Sequence, residues 1–436
     1  MKYVLDNVSA VTFGEPAVLE NVSVLIEDGM IKKIGVIEEK AERIDMKGKW
    51  ALPGIINAHM HFYSTLGRGL SIPGAVSNTF VDQLKNFWWK LDFELTEEEL
   101  YYSVIFPLIQ GILHGTTTVF DHHVSTKFID GSLSLISDIM KKYGIKGALS
   151  FEVTGRNGDE VFKKEVRENV NFYEMNRDDG SVRGMLGLHA NMTLSDEELK
   201  YIEKNTPDNM PIHCHLAEDR EDQNFVKNLG YQSVTHRLYR YNLLRKNSLL
   251  IHGVWTDASE WEIIAKSRSF LVHNPSSNIN NAVGILDIIG ALKNNVVVGI
   301  GTDGMHNVPM HEYFLAHILS HYKNSNTSAG WGECFSAFKN NGKIASAILS
   351  RKTGVIEEGA CADFVFFDYT EPTELTGNTL IAHILFGLVH APATDTISDG
   401  RFLLKDRKLQ LDLDLEAIGA KSREISKKLW SRVVSG

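Results

Sequence analysis

Between residues 98 and 113 the apolar positions recur at helical spacing. Leu100, Val104, Leu108 and Ile112 form one stripe, with Tyr101, Ile105, Ile109 and Leu113 beside it. The spacing predicts a helix that Gly115 ends. TTTVF at 116–120 follows, a short unbroken apolar run of the kind that buried parallel strands show. The same pattern returns as GALSF (147–151), GMLGL (184–188), PIHCH (211–215), LLIH (249–252), FLVH (270–273) and VVVGI (296–300). With the run before His59 these make eight strands separated by helical stretches, which predicts a (β/α)8 barrel.

The two ends of the chain follow a different pattern. Residues 21–35 alternate short apolar runs around Asp28-Gly29, a hairpin signal. Similar runs return at 359–368 and 399–406. This predicts one small β domain assembled from residues 1–52 and 351–412, enclosing a barrel over 53–350, with a C-terminal helix over 413–436.

Composition narrows the function classes. The 436 residues are 43% hydrophobic and 23% charged, as expected of a globular protein with a large core. A net charge of −10 argues against binding a nucleic-acid backbone. Three cysteines without a CxxC motif cannot build a disulfide framework. MKYVLD lacks the apolar core of a secretory signal, and the longest apolar stretch, near 380–391, contains two histidines and is too short for a bilayer. A cytoplasmic protein acting on a small molecule, without nucleic-acid or membrane partners, is expected.

Seventeen histidines would not scatter evenly onto strand ends, yet many fall there. His59 and His61 close the first strand, and His122 and His123 the second. His189, His215, His252 and His273 close the fourth to seventh, and Asp303 follows the eighth. Barrel active sites lie at these C-terminal ends. His59 and His61, two apart, point to one face about 6–7 Å from each other along a strand, which suits chelation of one ion. His215 is a third candidate, with Cys214 facing away and His213 deeper in the wall as a structural residue. Asp303, in GIGTDG, fits a metal ligand or base better than a turn-former. Three histidines and a carboxylate, without cysteine, suit Zn²⁺ first and Fe²⁺ as the alternative, with room for a catalytic water.

Around this centre stand the candidates for substrate contact. They are His122 (favoured over His123), Glu152, Arg156, His273 and Trp89. Arg156 is equally a surface or salt-bridge residue, and His273 equally a loop brace. Trp89, with Phe87 and Trp88, lies in an insertion over 66–97 that reads equally as a lid or as a subunit interface. Arg68 in the same insertion is a further candidate, or a turn-stabilising residue.

PGIINAHMH, GTTTVFDHH, GLHANMT, IHCHLAED, IHGVW, HNPSSN, GTDG and GACADFVFFD together resemble the amidohydrolase superfamily over nearly the whole chain. Within it the chain resembles the aminohydrolase and chlorohydrolase branch that includes guanine, cytosine and S-adenosylhomocysteine deaminases. LKNFWWKLD, FEVTGRN and VHNPSSNINNAVG are most similar to the SsnA-type aminohydrolases. The resemblance implies a distorted (β/α)8 TIM barrel with a small β-sandwich from both termini, and a homo-oligomer, dimer or larger. It implies His59, His61, His215 and Asp303 as metal ligands, His252 as the histidine facing the activated water, Glu218 as proton shuttle, Asp303 as base and His189 as a substrate contact. Glu218 is otherwise a helix N-terminal carboxylate. Neither GALSFE nor GLH supplies the lysine of two-metal relatives, so one divalent ion is expected. The implied activity is hydrolytic deamination of a purine- or pterin-like N-heterocycle. The alternative is hydrolysis of another C–N bond or of C–Cl at the same site, as by a cyclic amidase or chlorohydrolase.

Overall fold

The computed structural model describes residues 1–435; Gly436, the last residue of the expected C-terminal helix, lies outside them. Eight parallel strands form the ring: β1 (Ile55–Met60), β2 (Thr116–His123), β3 (Lys146–Val153), β4 (Leu186–Leu188), β5 (Ile212–Leu216), β6 (Leu249–His252), β7 (Phe270–His273) and β8 (Val297–Ile300). Each pairs with its successor from β1 to β8. The ring closes above the strands, where the amides of Thr302 and Asp303 both donate to the carbonyl of His59, at 2.9 and 3.0 Å. Gly301 permits this approach, because a Cβ there would lie 2.8 Å from the His59 backbone.

Between β1 and β2 the chain makes the aromatic insertion. A π-helical turn (Leu84–Trp88) leads into α1 (Trp89–Glu94), then α2 (Glu97–Leu113). The predicted stripe of α2 is buried at Leu100, Val104, Leu108 and Ile112, so apolar periodicity placed that helix within one residue. Gly115 ends it at φ 85°, where a Cβ would meet Val365 at 2.4 Å.

The termini build a separate nine-stranded, largely antiparallel sheet in which Trp50–Pro53 pairs with Phe364–Phe367. The predicted hairpin turns at Asp28 (φ 51°) and Gly29 (φ 77°), with Glu27 opposite Met30. Buried Lys146, the first residue of β3, donates to Asp363 at 2.7 Å and to Ser398 at 3.0 Å. The sheet therefore docks at the N-terminal end of β3, opposite the strand end that carries candidate chemistry. The last helix, α3 (Leu415–Ser435), packs Leu429 and Val433 against Leu91 and Leu95 of the insertion. Among the described residues no helix is long and apolar enough to cross a membrane.

Candidate metal centre and active-site cavity

His59, His61, His215 and Asp303 each offer one ligand atom, and these atoms lie within 4.8 Å of one another. Nε2 of His61 lies 3.0 Å from Oδ1 of Asp303, and Nε2 of His59 lies 3.4 Å from the same oxygen. Nε2 of His215 is 3.2 Å from that of His61. Tetrahedral ligands with bonds of 2.0–2.1 Å stand about 3.4 Å apart, so the spacing fits one ion.

The opposite ring nitrogens are held from behind. Nδ1 of His61 donates to the carbonyl of His122 at 2.5 Å, and Nδ1 of His215 to that of His189 at 2.8 Å. Nδ1 of His59 meets Nε2 of His213 at 2.8 Å, and the other nitrogen of His213 meets the hydroxyl of Ser150 at 3.2 Å. Each imidazole thus turns Nε2 toward the shared point, and the buried Nε2 of His59 has no hydrogen-bond partner. The donor set fits a divalent cation.

Burial lowers the pKa of His59 to about 3, leaving a neutral ring. Burial also pulls His61 down, but the hydrogen bond and charge of Asp303 outweigh it and raise that ring to about 9. Burial alone would raise Asp303; the facing rings of His59 and His61 instead hold it well below the usual carboxylate range.

Glu218 and His252 adjoin this centre. Oε2 of Glu218 lies 3.3 Å from Nε2 of His252, which is 3.9 Å from Oδ2 of Asp303. Asn278 orients His252 through Nδ1 at 2.7 Å, Asn281 donates to Oε1 of Glu218 at 3.3 Å, and the Ser277 hydroxyl donates to Asp303. All three come from one helical turn, Pro275–Asn280, and the residue after it. Ala217 (φ 48°), His252 (φ 74°) and Asp303 (φ 54°) hold left-handed backbone, so local strain concentrates here. Helix Arg220–Asn228 is capped by Asp219, which leaves Glu218 free of the capping role. Burial, and then the charge of Asp303, push Glu218 well above the carboxylate range. In the metal-free chain its surroundings thus favour the protonated form.

One cavity opens over these groups, walled by Trp88, Trp89, Phe80, Leu84, Met192 and Met305. Of the substrate-contact candidates, His189, Glu152 and Trp89 reach its wall. Trp89 on that wall favours the lid over the interface. His122, Arg156 and His273 stand behind the wall. His122 is turned inward, with its ring 4.6 Å from that of His215, but its Nε2 is spent on the carbonyl of His213. His123 points away to Ser125. Arg156 lies 4.5 Å from the Trp89 ring and bridges Asp92 and Glu152. His273 is buried against Asn278 and braces the loop. Arg68 lines a separate groove beside α3.

The roles of His213, Ser277, Asn278, Asn281 and Asp92 have no direct sign in the sequence pattern. His213 shares the parity of His215, which was its one available signal.

A model of the amidohydrolase family matches residues 50–403. The chain is 28% identical over 429 residues to a 5-methylthioadenosine/S-adenosylhomocysteine deaminase of Dictyoglomus turgidum, covering 96% of each. It is 27% identical over 402 residues to a 5′-deoxyadenosine deaminase of Methanosphaera stadtmanae, covering 90% of this chain and 91% of that one. An adenosine deaminase from Xanthomonas campestris, solved with bound zinc, superposes at a TM-score of 0.84 with 20% identity and 98% of each chain covered, a likeness of fold.

Proposed function

Because the chain belongs to the amidohydrolase family, we propose that it is a metal-dependent hydrolase that removes the exocyclic amino group of a purine- or pterin-like N-heterocycle as ammonia. The observation that carries this is the convergence of Glu218, His252 and Asp303 beside the three-histidine cluster, at the floor of one cavity. Relatives named as deaminases of adenosine derivatives, matched over nearly their full length, support the same reaction.

His59, His61, His215 and Asp303 would hold the metal. Three imidazoles and a carboxylate without thiolate favour Zn²⁺ over Fe²⁺. No lysine stands at the ends of β3 or β4, which supports one ion per chain. A divalent cation there supplies hydroxide at neutral pH, by lowering the pKa of water from 15.7 to about 7.

The remaining chemistry belongs to side chains. Glu218, beside His252 and Asp303, gives a proton to the ring nitrogen next to the amino-bearing carbon, making that carbon electrophilic. Asp303 takes a proton from the attacking water. His252, fixed by Asn278, faces the same point and stabilises the developing negative charge. The proton on Asp303 then passes to the departing nitrogen, which leaves as ammonia, while Glu218 takes the remaining hydroxyl proton and returns to its starting state. Trp89 and its insertion exclude solvent over the ring, and His189 and Glu152 meet its edge.

We place the protein in the cytoplasm as a homo-oligomer. Buried, unpaired Cys214, Cys334 and Cys361 support the compartment, and exposed aromatic surface at Tyr322 and Phe386 supports the assembly.

Ammonia release from a panel of aminopurines, aminopterins and aminotriazines tests the reaction. Turnover of at least one member is expected. Hydrolysis of a chloro-analogue or cyclic amide without ammonia from any amine would overturn deamination.

A further inference from the structure

Among the described residues no lysine or arginine lines the cavity, whereas six carboxyl groups do: Asp92, Glu152, Glu218, Asp219, Asp222 and Asp303. Four of these have other work. Asp303 and Glu218 face the reaction, Asp219 caps a helix, and Asp222 accepts backbone amides from Met192 and Ala217. Asp92 and Glu152 remain, from the lid helix α1 and from β3.

One cation serves both. Nη2 of Arg156 lies 3.3 Å from Asp92 and 3.0 Å from Glu152, while its Nε donates to Thr154 at 3.0 Å. Its guanidinium lies 4.5 Å from the ring of Trp89, the residue that reaches the wall in its place. Beside Asp92 and Glu152, away from the candidate metal ligands, the wall meets an incoming ligand with acceptor oxygens and aromatic faces, and the positive charge nearest these two, Arg156, is shared between them. An anionic substituent reaching this wall would lose its hydration and find no free cation there, in surroundings that screen poorly. A neutral donor group finds acceptors already fixed in place.

Resting on the deaminase reading above, we propose that the substrate carries no negative charge and is selected by hydrogen-bond donors, on its ring or on a substituent, that meet Glu152 and Asp92. Phosphorylated and carboxylated amino-heterocycles are excluded by the same two residues. A nucleoside such as 5′-deoxyadenosine is admitted on these terms, adenosine 5′-phosphate is disfavoured by its anionic end, and S-adenosylhomocysteine by the carboxylate of its zwitterionic end.

The test uses the full-length, metal-loaded protein. Ammonia release is measured for matched sets that share one ring: 5′-deoxyadenosine, S-adenosylhomocysteine and adenosine 5′-phosphate; guanosine and its 5′-phosphate; a neutral aminopterin and its 6-carboxylate. The neutral member of any set turned over should exceed its anionic counterpart in kcat/KM by about 100-fold. Glu152→Gln and Asp92→Asn should each narrow that ratio by about tenfold with metal content unchanged. Equal or better use of an anionic member, or a ratio that neither substitution moves, overturns the proposal. If no set releases ammonia, the deaminase reading falls separately. Charge selection is then read by calorimetry with benzohydroxamate and its 4-carboxy and 4-aminomethyl derivatives, which anchor at the metal whatever the leaving group. Equal affinity across these three, or none for any, overturns the proposal.

Discussion

His213 holds His59 in place: Nε2 of the one lies 2.8 Å from Nδ1 of the other. Both rings are fully buried, so no water substitutes when the contact is lost. Replacing His213 with Ala frees the orientation of His59 while keeping all four candidate ligands. Metal affinity should fall about 10- to 100-fold, as for other groups that orient a ligand from behind. Chelator competition measures this, and an unchanged dissociation constant would remove His213 from the site.

Glu218→Gln keeps the shape of the side chain and its contact with Asn281 but cannot shuttle a proton. The turnover number should drop by about 10²- to 10⁴-fold with metal content unchanged. Retained turnover would assign the proton transfer to another group.

His61 shares a proton with Asp303, and its pKa lies at about 9 against the ordinary 6.5. In the metal-free chain that ring is therefore protonated at pH 7, and metal must displace the proton. Raising the pH toward 9 removes the competitor, so apparent affinity should climb by about tenfold per unit and level off above pH 9. Competition titrations from pH 6 to 10 would show this slope; a flat profile contradicts the pairing.

How much of this was legible depended on where each partner comes from. His59, His61, His215 and Asp303 stood out because strand ends are visible as apolar runs and a two-residue spacing fixes a shared face. His213 has the same signal, but only its meeting with the His59 ring of β1, a strand not adjacent to β5, turns it from wall residue to support. Ser277, Asn278 and Asn281 lie on a helical turn whose rotation decides which polar groups face inward, and no periodicity in HNPSSNINN encodes that. Arg156 and Trp89 exchanged prominence for a similar reason. Behind the wall the arginine pairs with two carboxylates that line it, and the tryptophan covers the arginine.

Arg156→Leu would leave Asp92 and Glu152 buried without their cation, as carboxyls that burial already pushes up, Asp92 to about 8. Such breakage of a buried ionic cluster costs about 3–5 kcal/mol, so the urea midpoint should fall clearly. Adding Asp92→Asn and Glu152→Gln removes the stranded carboxyls and should recover most of the loss. A triple variant no more stable than the single one would show that packing on Trp89, rather than charge, is what Arg156 contributes.

Arg432 ties the C-terminal helix to the lid. Its guanidinium lies 3.2 Å from the Glu94 carboxylate, 3.0 Å from the Glu94 carbonyl and 2.8 Å from Glu99, which closes α1 against α2. Trp430 on the same helix donates to the carbonyl of Leu66 at 2.7 Å, five residues past His61. Trp89 and Asp92 ride on α1, so a looser α1 blurs the cavity wall without touching the metal centre. Arg432→Gln should raise KM by about tenfold with kcat little changed and metal retained, since misplacement of a binding wall acts on positioning first. Arg432→Lys keeps the charge but lacks the planar fork that reaches three acceptors, and should recover only part of the loss. If kcat fell while KM stayed constant, the helix would be acting on the chemical step itself, and its part as a brace for the lid would be rejected.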